Sequence, residues 1–139
     1  MEEEEKELQE KIIAHRLIEA RIEGLLKQRE AFIKSLVEIE ESIKGIDELK
    51  KKGENVLFSL GSQTYIPCKI IEKDKIIVEV GANVAIEKSL EEGKQILEKR
   101  KLEVEKAIAN IENAINQLSS GLKDLSDEIG EMLKKRKAG

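Results

Sequence analysis

The spacing of apolar residues in the first fifty positions constrains the fold more than any other feature of this chain. Over residues 3–52 these side chains recur in alternating steps of three and four, the a and d positions of a heptad repeat. Lys11, His15 and Arg29 interrupt the seam as polar residues, and no proline breaks the run. The pattern predicts an N-terminal coiled-coil helix over 3–52.

A second heptad run lies toward the C-terminus, with unbroken four-three alternation from Val104 to Met132. It is preceded by Ser89-Leu90-Glu91-Glu92, a capping box in which the serine accepts from a backbone N–H and Glu92 reaches back. The sequence therefore predicts a C-terminal coiled-coil helix over 89–136.

The two predicted helices are similar in length and should pair antiparallel, because the connection between them is short. Residues whose numbers add to about 140 would then face each other in an a-to-d seam, although a slip of one heptad also satisfies the pattern. In this register the acidic residues 2–5 lie beside the basic residues 134–137, and each run opposes the charge of its own helix terminus.

Between the helices the apolar period changes to two, which indicates β-strands. The pattern occurs in four segments: 56–60, 64–70, 75–80 and 84–87. Turn residues separate them at Gly61-Ser62, at 72–74 and at Gly81-Ala82-Asn83, and Pro67 should lie in an edge strand or at a bulge. The segment 53–88 is thus a pair of β-hairpins, and residues 1–139 are expected to form a single unit.

The composition agrees with an extended architecture and excludes several classes of function. Aromatic residues are 2% of the chain and charged residues 39%, so little bulky apolar surface is present to fill a compact core. The net charge of −4 offers no general basic field for nucleic acid. The abundance of Glu, Lys and Ile is typical of proteins from thermophiles.

The sequence also gives expectations about location. A single cysteine permits no internal disulfide, which favours a reducing cytoplasm. The acidic start is unlike a signal peptide, and no apolar run is long enough to cross a bilayer, so no membrane association is expected.

Catalytic chemistry has few candidates in this sequence. His15 and Cys68 are the only histidine and the only thiol, and the predicted coil places them at opposite ends. His15 is interpreted as a tolerated polar seam residue and Cys68 as a small strand side chain, and no phosphate-binding loop is present. The chain is not expected to be an enzyme or to need a metal or another cofactor.

Two apolar surfaces remain unexplained by one chain. The hairpins have unpaired edges and an apolar face that should be covered by copies of the chain or by a related subunit. This assembly face comprises Val56, Phe58, Leu60, Ile76, Val78 and Val80. At the open end of the coil, a wider apolar surface than a seam requires indicates a binding site, with ordinary packing as the alternative. It comprises Leu8, Ile12, Ile13, Leu17, Ile18, Leu125, Ile129, Met132 and Leu133.

The order of elements and the stretch from Val80-Gly81-Ala82-Asn83-Val84 through Ser89-Leu90-Glu91-Glu92 resemble the α-class subunit of archaeal prefoldin. Val56-Leu57-Phe58-Ser59-Leu60-Gly61 and Tyr65-Ile66-Pro67 resemble the first hairpin of that family. The resemblance implies an α+β fold, a long antiparallel two-helix coiled coil closed by two β-hairpins that form an oligomeric β-platform.

The resemblance further implies an ATP-independent holdase. Its coiled-coil tips would bind unfolded client proteins and deliver them to a group II chaperonin, and its partners would be β-class prefoldin subunits. A divergent group in the family forms filaments through its hairpins, so a self-assembling filament or scaffold is the alternative. A coiled-coil adapter that recruits one folded partner is a third hypothesis.

Overall fold

The computed structural model describes residues 2–138 and has the predicted α+β architecture. Along the chain, one long helix precedes four strands and a second long helix follows them. The order is α1 Glu2–Lys51, β1 Asn55–Gly61, β2 Thr64–Lys69, β3 Lys75–Gly81, β4 Val84–Ser89 and α2 Leu90–Ala138. By its contacts the chain divides into two compact units. Unit 1 comprises Met1–Lys34 and Glu105–Gly139, and unit 2 comprises Ser35–Val104.

In unit 1 the two helices pair antiparallel along the heptad seam. Leu8 and Ile111 are buried, and the polar seam residues find partners on the opposite helix. Lys11 Nζ lies 3.0 Å from Glu128 Oε2, and Arg29 Nε lies 3.1 Å from Glu112 Oε1. Each pair has residue numbers that add to within one of 140, which agrees with the predicted register. These contacts are those of the predicted register and not of one shifted by a heptad.

In unit 2 the end of α1 lies beside the start of α2. Ile46 and Leu90 are buried between the elements. Two ion pairs flank them: Lys94 Nζ lies 2.8 Å from Asp47 Oδ1, and Lys50 Nζ lies 2.5 Å from Glu91 Oε2. The lysine in each pair holds the pKa of Asp47 or Glu91 below its ordinary value, chiefly through the hydrogen bond.

The start of α2 confirms the capping box predicted from the sequence. The hydroxyl of Ser89 accepts the backbone N–H of Glu92 at 3.1 Å and donates to the Glu92 carboxylate at 2.9 Å. This second bond is the main reason why the pKa of Glu92 is lowered. The serine therefore ends β4 and caps α2 without an intervening loop.

The strands form two separate antiparallel hairpins, hairpin 1 (β1 with β2) and hairpin 2 (β3 with β4). In both the register shifts by one residue just before a glycine, Gly61 or Gly81. The next two residues have left-handed backbones, with φ between 48° and 61°: Ser62, Gln63, Ala82 and Asn83. Both central residues of a type I′ hairpin turn require positive φ, so the two turns share one conformation.

The hairpins also correspond residue by residue. Adding twenty to a number in hairpin 1 gives the equivalent position in hairpin 2, so Phe58 corresponds to Val78 and Leu57 to Ile77. Pro67 lies in β2, which is an edge strand because its sheet has only two strands. As predicted, the proline therefore does not interrupt a central strand.

Candidate interaction surfaces

The first surface is the helix-terminal segment, defined here as residues 2–18 of α1 and 122–138 of α2, all in unit 1. The acidic and basic runs meet there, since Arg136 Nη2 lies 2.8 Å from Glu5 Oε1. Glu4, Glu7 and Lys135 line the same shallow groove. The predicted pairing of the two charged runs is thus present.

The predicted binding residues of the helix-terminal segment separate into three groups by exposure. Leu8 is buried in the seam. Five side chains are half-buried: Ile12, Ile18, Leu125, Ile129 and Met132. Ile13, Leu17 and Leu133 are exposed, with Leu17 at 67%. Of the nine predicted residues, these last three have the largest exposed fractions.

The helix-terminal segment and its surroundings contain one polar arrangement that the sequence analysis did not foresee. His15 Nδ1 lies 2.7 Å from Glu19 Oε1, and Nε2 lies 2.8 Å from the hydroxyl of Ser126 on α2. The spacing of Glu19 four residues after His15 was the available sequence signal.

The order hydroxyl, imidazole and carboxylate is that of a hydrolase triad, but the second requirement of that chemistry is missing. An oxyanion needs free donors, whereas Ser126 lies inside α2, where backbone N–H groups bond to carbonyls one turn earlier. The contacts are best interpreted as pairing of a polar seam residue, which agrees with the prediction for His15.

The second surface is formed by the hairpins, and the six predicted assembly residues differ in their surroundings. On hairpin 2, Ile76 and Val78 lie against α2 at Gly93, and Val78 is 7% exposed. A Cβ on Gly93 would overlap Ile76 Cδ1 and lie 2.8 Å from Ile76 Cγ1. The inner face of hairpin 2 is therefore already covered within the chain. Val80, next to the turn, is exposed.

The inner face of hairpin 1 is more open. Val56 is half-buried, while Phe58 and Leu60 are exposed, Phe58 at 60%. The opposite face carries the exposed Leu57 and Tyr65. Hairpin 1 thus presents apolar side chains on both faces.

Six exposed apolar residues of the hairpin region lie outside the predicted assembly face: Leu57, Tyr65, Ile66, Ile71, Ile77 and Val84. Strand alternation places Leu57 and Ile77 on the face opposite the predicted assembly face. Alternation alone does not show that this opposite face is also exposed to solvent. Ile71 lies between the hairpins and is almost fully exposed.

Within 2–138 no cluster of three or more His, Cys, Asp or Glu side chains could hold a metal ion. In the described part of the chain, neither helix has an apolar stretch long enough to cross a membrane. Cys68 is a free thiol on β2, with its Sγ 3.6 Å from the Ile66 carbonyl oxygen.

Comparison with solved structures gives a relative of the same architecture. A structure described as filamentous PFD from Methanocaldococcus jannaschii matches with a TM-score of 0.71 and 29% sequence identity. The match covers 83% of this chain and 97% of that one. The likeness therefore extends over both helices and the hairpins between them.

Comparison of sequences gives several archaeal proteins described as prefoldin subunit alpha. The Methanopyrus kandleri protein is 32% identical over 69 residues, which are 50% of this chain and 43% of that protein. The Methanothrix thermoacetophila protein is 28% identical over 98 residues, 69% of this chain and 64% of the relative. The chain thus spans less than two thirds of the length of these two relatives.

Prefoldin subunit alpha 1 of Thermococcus kodakarensis is 30% identical over 102 residues, covering 72% of this chain and 70% of the relative. The sequence model of the family, described as prefoldin subunit, matches residues 18–135. That range includes most of both helices and all four strands. The chain belongs to the prefoldin family.

Proposed function

We propose that this chain is a subunit of an ATP-independent chaperone that holds unfolded proteins and delivers them to a group II chaperonin in the cytoplasm. The observation that carries the proposal is the exposure of Ile13, Leu17 and Leu133 in the helix-terminal segment of a prefoldin-family chain. Large apolar side chains without a structural partner are the chemistry that unfolded polypeptide, with its own exposed apolar residues, would contact.

Three side chains on one subunit make a small and shallow surface. In an assembly of several subunits, such surfaces on separate chains can hold one polypeptide together, because the first contact raises the effective concentration for the next. Weak individual contacts also release the client readily. This mechanism requires assembly, and it requires no nucleotide.

The test replaces Ile13, Leu17 and Leu133 by serine in the assembled complex and measures suppression of aggregation of a chemically denatured client. These three positions are chosen because Ile12, Ile129 and Met132 are half-buried, and their replacement would also disturb helix pairing. We expect suppression to be lost while the mass of the complex stays unchanged.

The matched control is Leu102→Ser. Leu102 is 68% exposed, nearly the same as Leu17, but lies in unit 2 outside the helix-terminal segment. It should retain full suppression, because this variant removes an exposed apolar side chain but leaves the proposed binding surface unchanged. Unchanged suppression by the triple variant would remove these residues from the mechanism.

The expected partners in assembly are β-class prefoldin subunits, further copies of this chain, or both. The proposed contact region is the hairpins, with Val56, Phe58, Leu60 and Val80 contributing apolar surface. Each hairpin is a two-stranded sheet with unpaired edges, and an isolated two-stranded hairpin has marginal stability in water. Association with another subunit would cover these edges.

A self-assembling filament or scaffold is the second candidate, favoured by the two uncovered faces of hairpin 1 and by the likeness to a structure described as filamentous. Light scattering and negative-stain imaging of the purified chain separate the candidates. A discrete small species would indicate a subunit that requires β-class partners. Long polymers from this chain alone would indicate the filament.

A further inference from the structure

We propose that one side of the coiled coil in unit 1 binds an amphipathic helix of another protein, in which the apolar residues are flanked by lysine or arginine. This stem face comprises Glu23, Leu26, Glu30 and Ile33 of α1 and Glu105 of α2. All five residues lie within unit 1. The stem face shares no residue with the helix-terminal segment or the hairpins.

The position of the stem face follows from the heptad register and one ion pair. Arg29 occupies an a position of α1, and Glu112 occupies an e position of α2, so their contact marks the side of the seam that the e positions flank. Leu26 and Ile33 are the e residues of α1 immediately before and after Arg29. Glu105 is the e residue of α2 one heptad before Glu112. These residues therefore flank the same side of the helix pair.

Leu26 and Ile33 give α1 a wider apolar surface than the seam requires. An e position of a two-helix coil commonly carries Glu or Lys, whereas apolar residues at a, d and e together are typical of a helix that also packs on a third helix. Leu26 is 47% exposed and Ile33 is 37% exposed, while the neighbouring seam residue Leu25 is half-buried. The g residues on the other side of the seam are Arg21 and Gln28. The apolar surface is thus extended on one side only.

The charge of the stem face indicates which kind of helix fits it. Glu23 and Glu30 on α1 and Glu105 on α2 are exposed. Within residues 2–138, the carboxylates of unit 1 that form ion pairs are Glu5, Glu7, Glu19, Glu112 and Glu128. Lys27 and Lys34 follow Glu23 and Glu30 by four residues but form no ion pair with them. The negative charge is therefore available to the basic residues of a partner.

Other occupants fit the stem face less well. A second copy of the chain would bring the same unpaired glutamates together, and like charges across an interface disfavour association. Leu26 and Ile33 are seven residues apart, which is about 10 Å along the helix. Two turns of a docked helix with apolar residues at steps of three and four span this distance. An unfolded segment has no such fixed spacing.

The test measures binding of synthetic peptides to the full chain by fluorescence anisotropy. The first peptide has about five helical turns, with leucine at a and d positions and lysine beside them. The second has glutamate in place of each lysine, and the third has the composition of the first in an order without helical spacing. We expect the first peptide to bind at least about tenfold more tightly than the other two. Equal binding of either one would overturn the proposal.

Two serine variants locate the binding. Leu26→Ser combined with Ile33→Ser should weaken binding of the first peptide by about tenfold or more, without a change in net charge. The triple serine variant at Ile13, Leu17 and Leu133 should bind that peptide like the natural chain, because those residues lie in the helix-terminal segment. Unchanged binding by the double variant, or a loss confined to the triple variant, would contradict the assignment to the stem face.

A matched pair of charge variants tests the acidic residues. Glu23→Gln combined with Glu30→Gln should lower the affinity for the lysine peptide and reduce its dependence on salt. The control is Glu38→Gln combined with Glu41→Gln, which removes the same charge from exposed positions of α1 in unit 2. The control should bind nearly as the natural chain does. Equal losses in both variants would show attraction by overall charge and would overturn the proposal.

The client assay decides the chaperone function separately. The double serine variant at Leu26 and Ile33 should suppress aggregation fully, because the helix-terminal segment is intact. Reduced suppression would assign the stem face to the holding of unfolded proteins and would overturn its assignment to a helical partner.

Discussion

Hairpin 1 and hairpin 2 have the same length, the same register shift and the same left-handed turn, yet one is fastened to a helix and the other is not. The clearest difference is between equivalent residues, since Val78 is 7% exposed and Phe58 is 60% exposed. Gly93 admits the inner face of hairpin 2 onto α2, and Arg100 Nη2 donates to the Glu79 carbonyl oxygen at 2.5 Å.

The comparison shows that strand alternation specifies a hairpin with two faces but does not decide which face is covered. That decision comes from the neighbouring helix, where one missing Cβ lets two strand side chains approach. Hairpin 2 therefore retains one free face for a partner, and hairpin 1 retains two.

The first variant is Gly93→Ala, which should release hairpin 2 from α2. The added Cβ overlaps Ile76, and overpacking of this kind costs about 1–3 kcal/mol, more than the ~1 kcal/mol that alanine contributes to a helix. Hydrogen exchange should show lost protection in β3 and β4 with β1 and β2 unchanged.

Gly121→Ala is the control for helix propensity, because a Cβ at Gly121 meets nothing within 4 Å. It should raise the free energy of unfolding by about 1 kcal/mol. If Gly93→Ala stabilised the chain equally, the packing of hairpin 2 on α2 would not be the constraint described here.

The second prediction compares equivalent truncations. Val78→Ala removes buried methyl groups and should lower the free energy of unfolding by about 1.5 kcal/mol. Phe58→Ala should change it by less than about 0.5 kcal/mol in the dissociated chain, because Phe58 is exposed there. Denaturant unfolding at high dilution measures both. Similar losses would mean that hairpin 1 is also packed against its own chain.

The third prediction concerns the left-handed turn that both hairpins contain. Ala82→Gly should stabilise hairpin 2 by about 0.5–1 kcal/mol, because glycine adopts positive φ without the clash of a Cβ. Ser62→Gly, at the equivalent position of hairpin 1, should have an effect of the same sign and size. Thermal unfolding of both variants tests whether the turns behave alike despite their different surroundings.

The smallest effect is expected from the ion pairs that join α1 to the first turn of α2 beneath hairpin 2. Because Lys94 lowers the pKa of Asp47 in the folded chain, the pair contributes stability above the unfolded pKa of about 4 and loses it as the pH falls through the folded value.

Asp47→Asn removes this contribution. Its unfolding temperature should lie below that of the natural chain at pH 7, and the difference should shrink as the pH falls below about 4 and disappear below the folded pKa of Asp47. A difference that persisted in acid would show that Asp47 acts through packing and not through its charge.

Much of the architecture follows from the residues alone. Heptad spacing predicts both helices and their antiparallel pairing, because side chains at steps of three and four share one face, but it leaves a slip of one heptad open. The contacts of Lys11 and Arg29 in the structure distinguish the two registers. Ser89 and Glu92 predict the start of α2, and the Gly61 and Gly81 turns predict the hairpins. These features depend on contacts between residues that are close in sequence or on a regular repeat.

The sequence patterns predict the candidate interaction surfaces less completely than the architecture. The helix-terminal residues were selected as one group, whereas helix pairing leaves Ile13, Leu17 and Leu133 exposed and half-buries or buries the rest. The assembly face was selected by alternation, without the information that α2 covers Ile76 and Val78.

Periodicity and turn chemistry are local properties of the chain, and they predict the elements, their order and the antiparallel pairing of the helices. Which hairpin face is covered depends on how the elements pack on one another. A covered face needs space between the elements, and the absence of a Cβ at Gly93 leaves the space that Ile76 occupies. No repeat in the sequence indicates such a space.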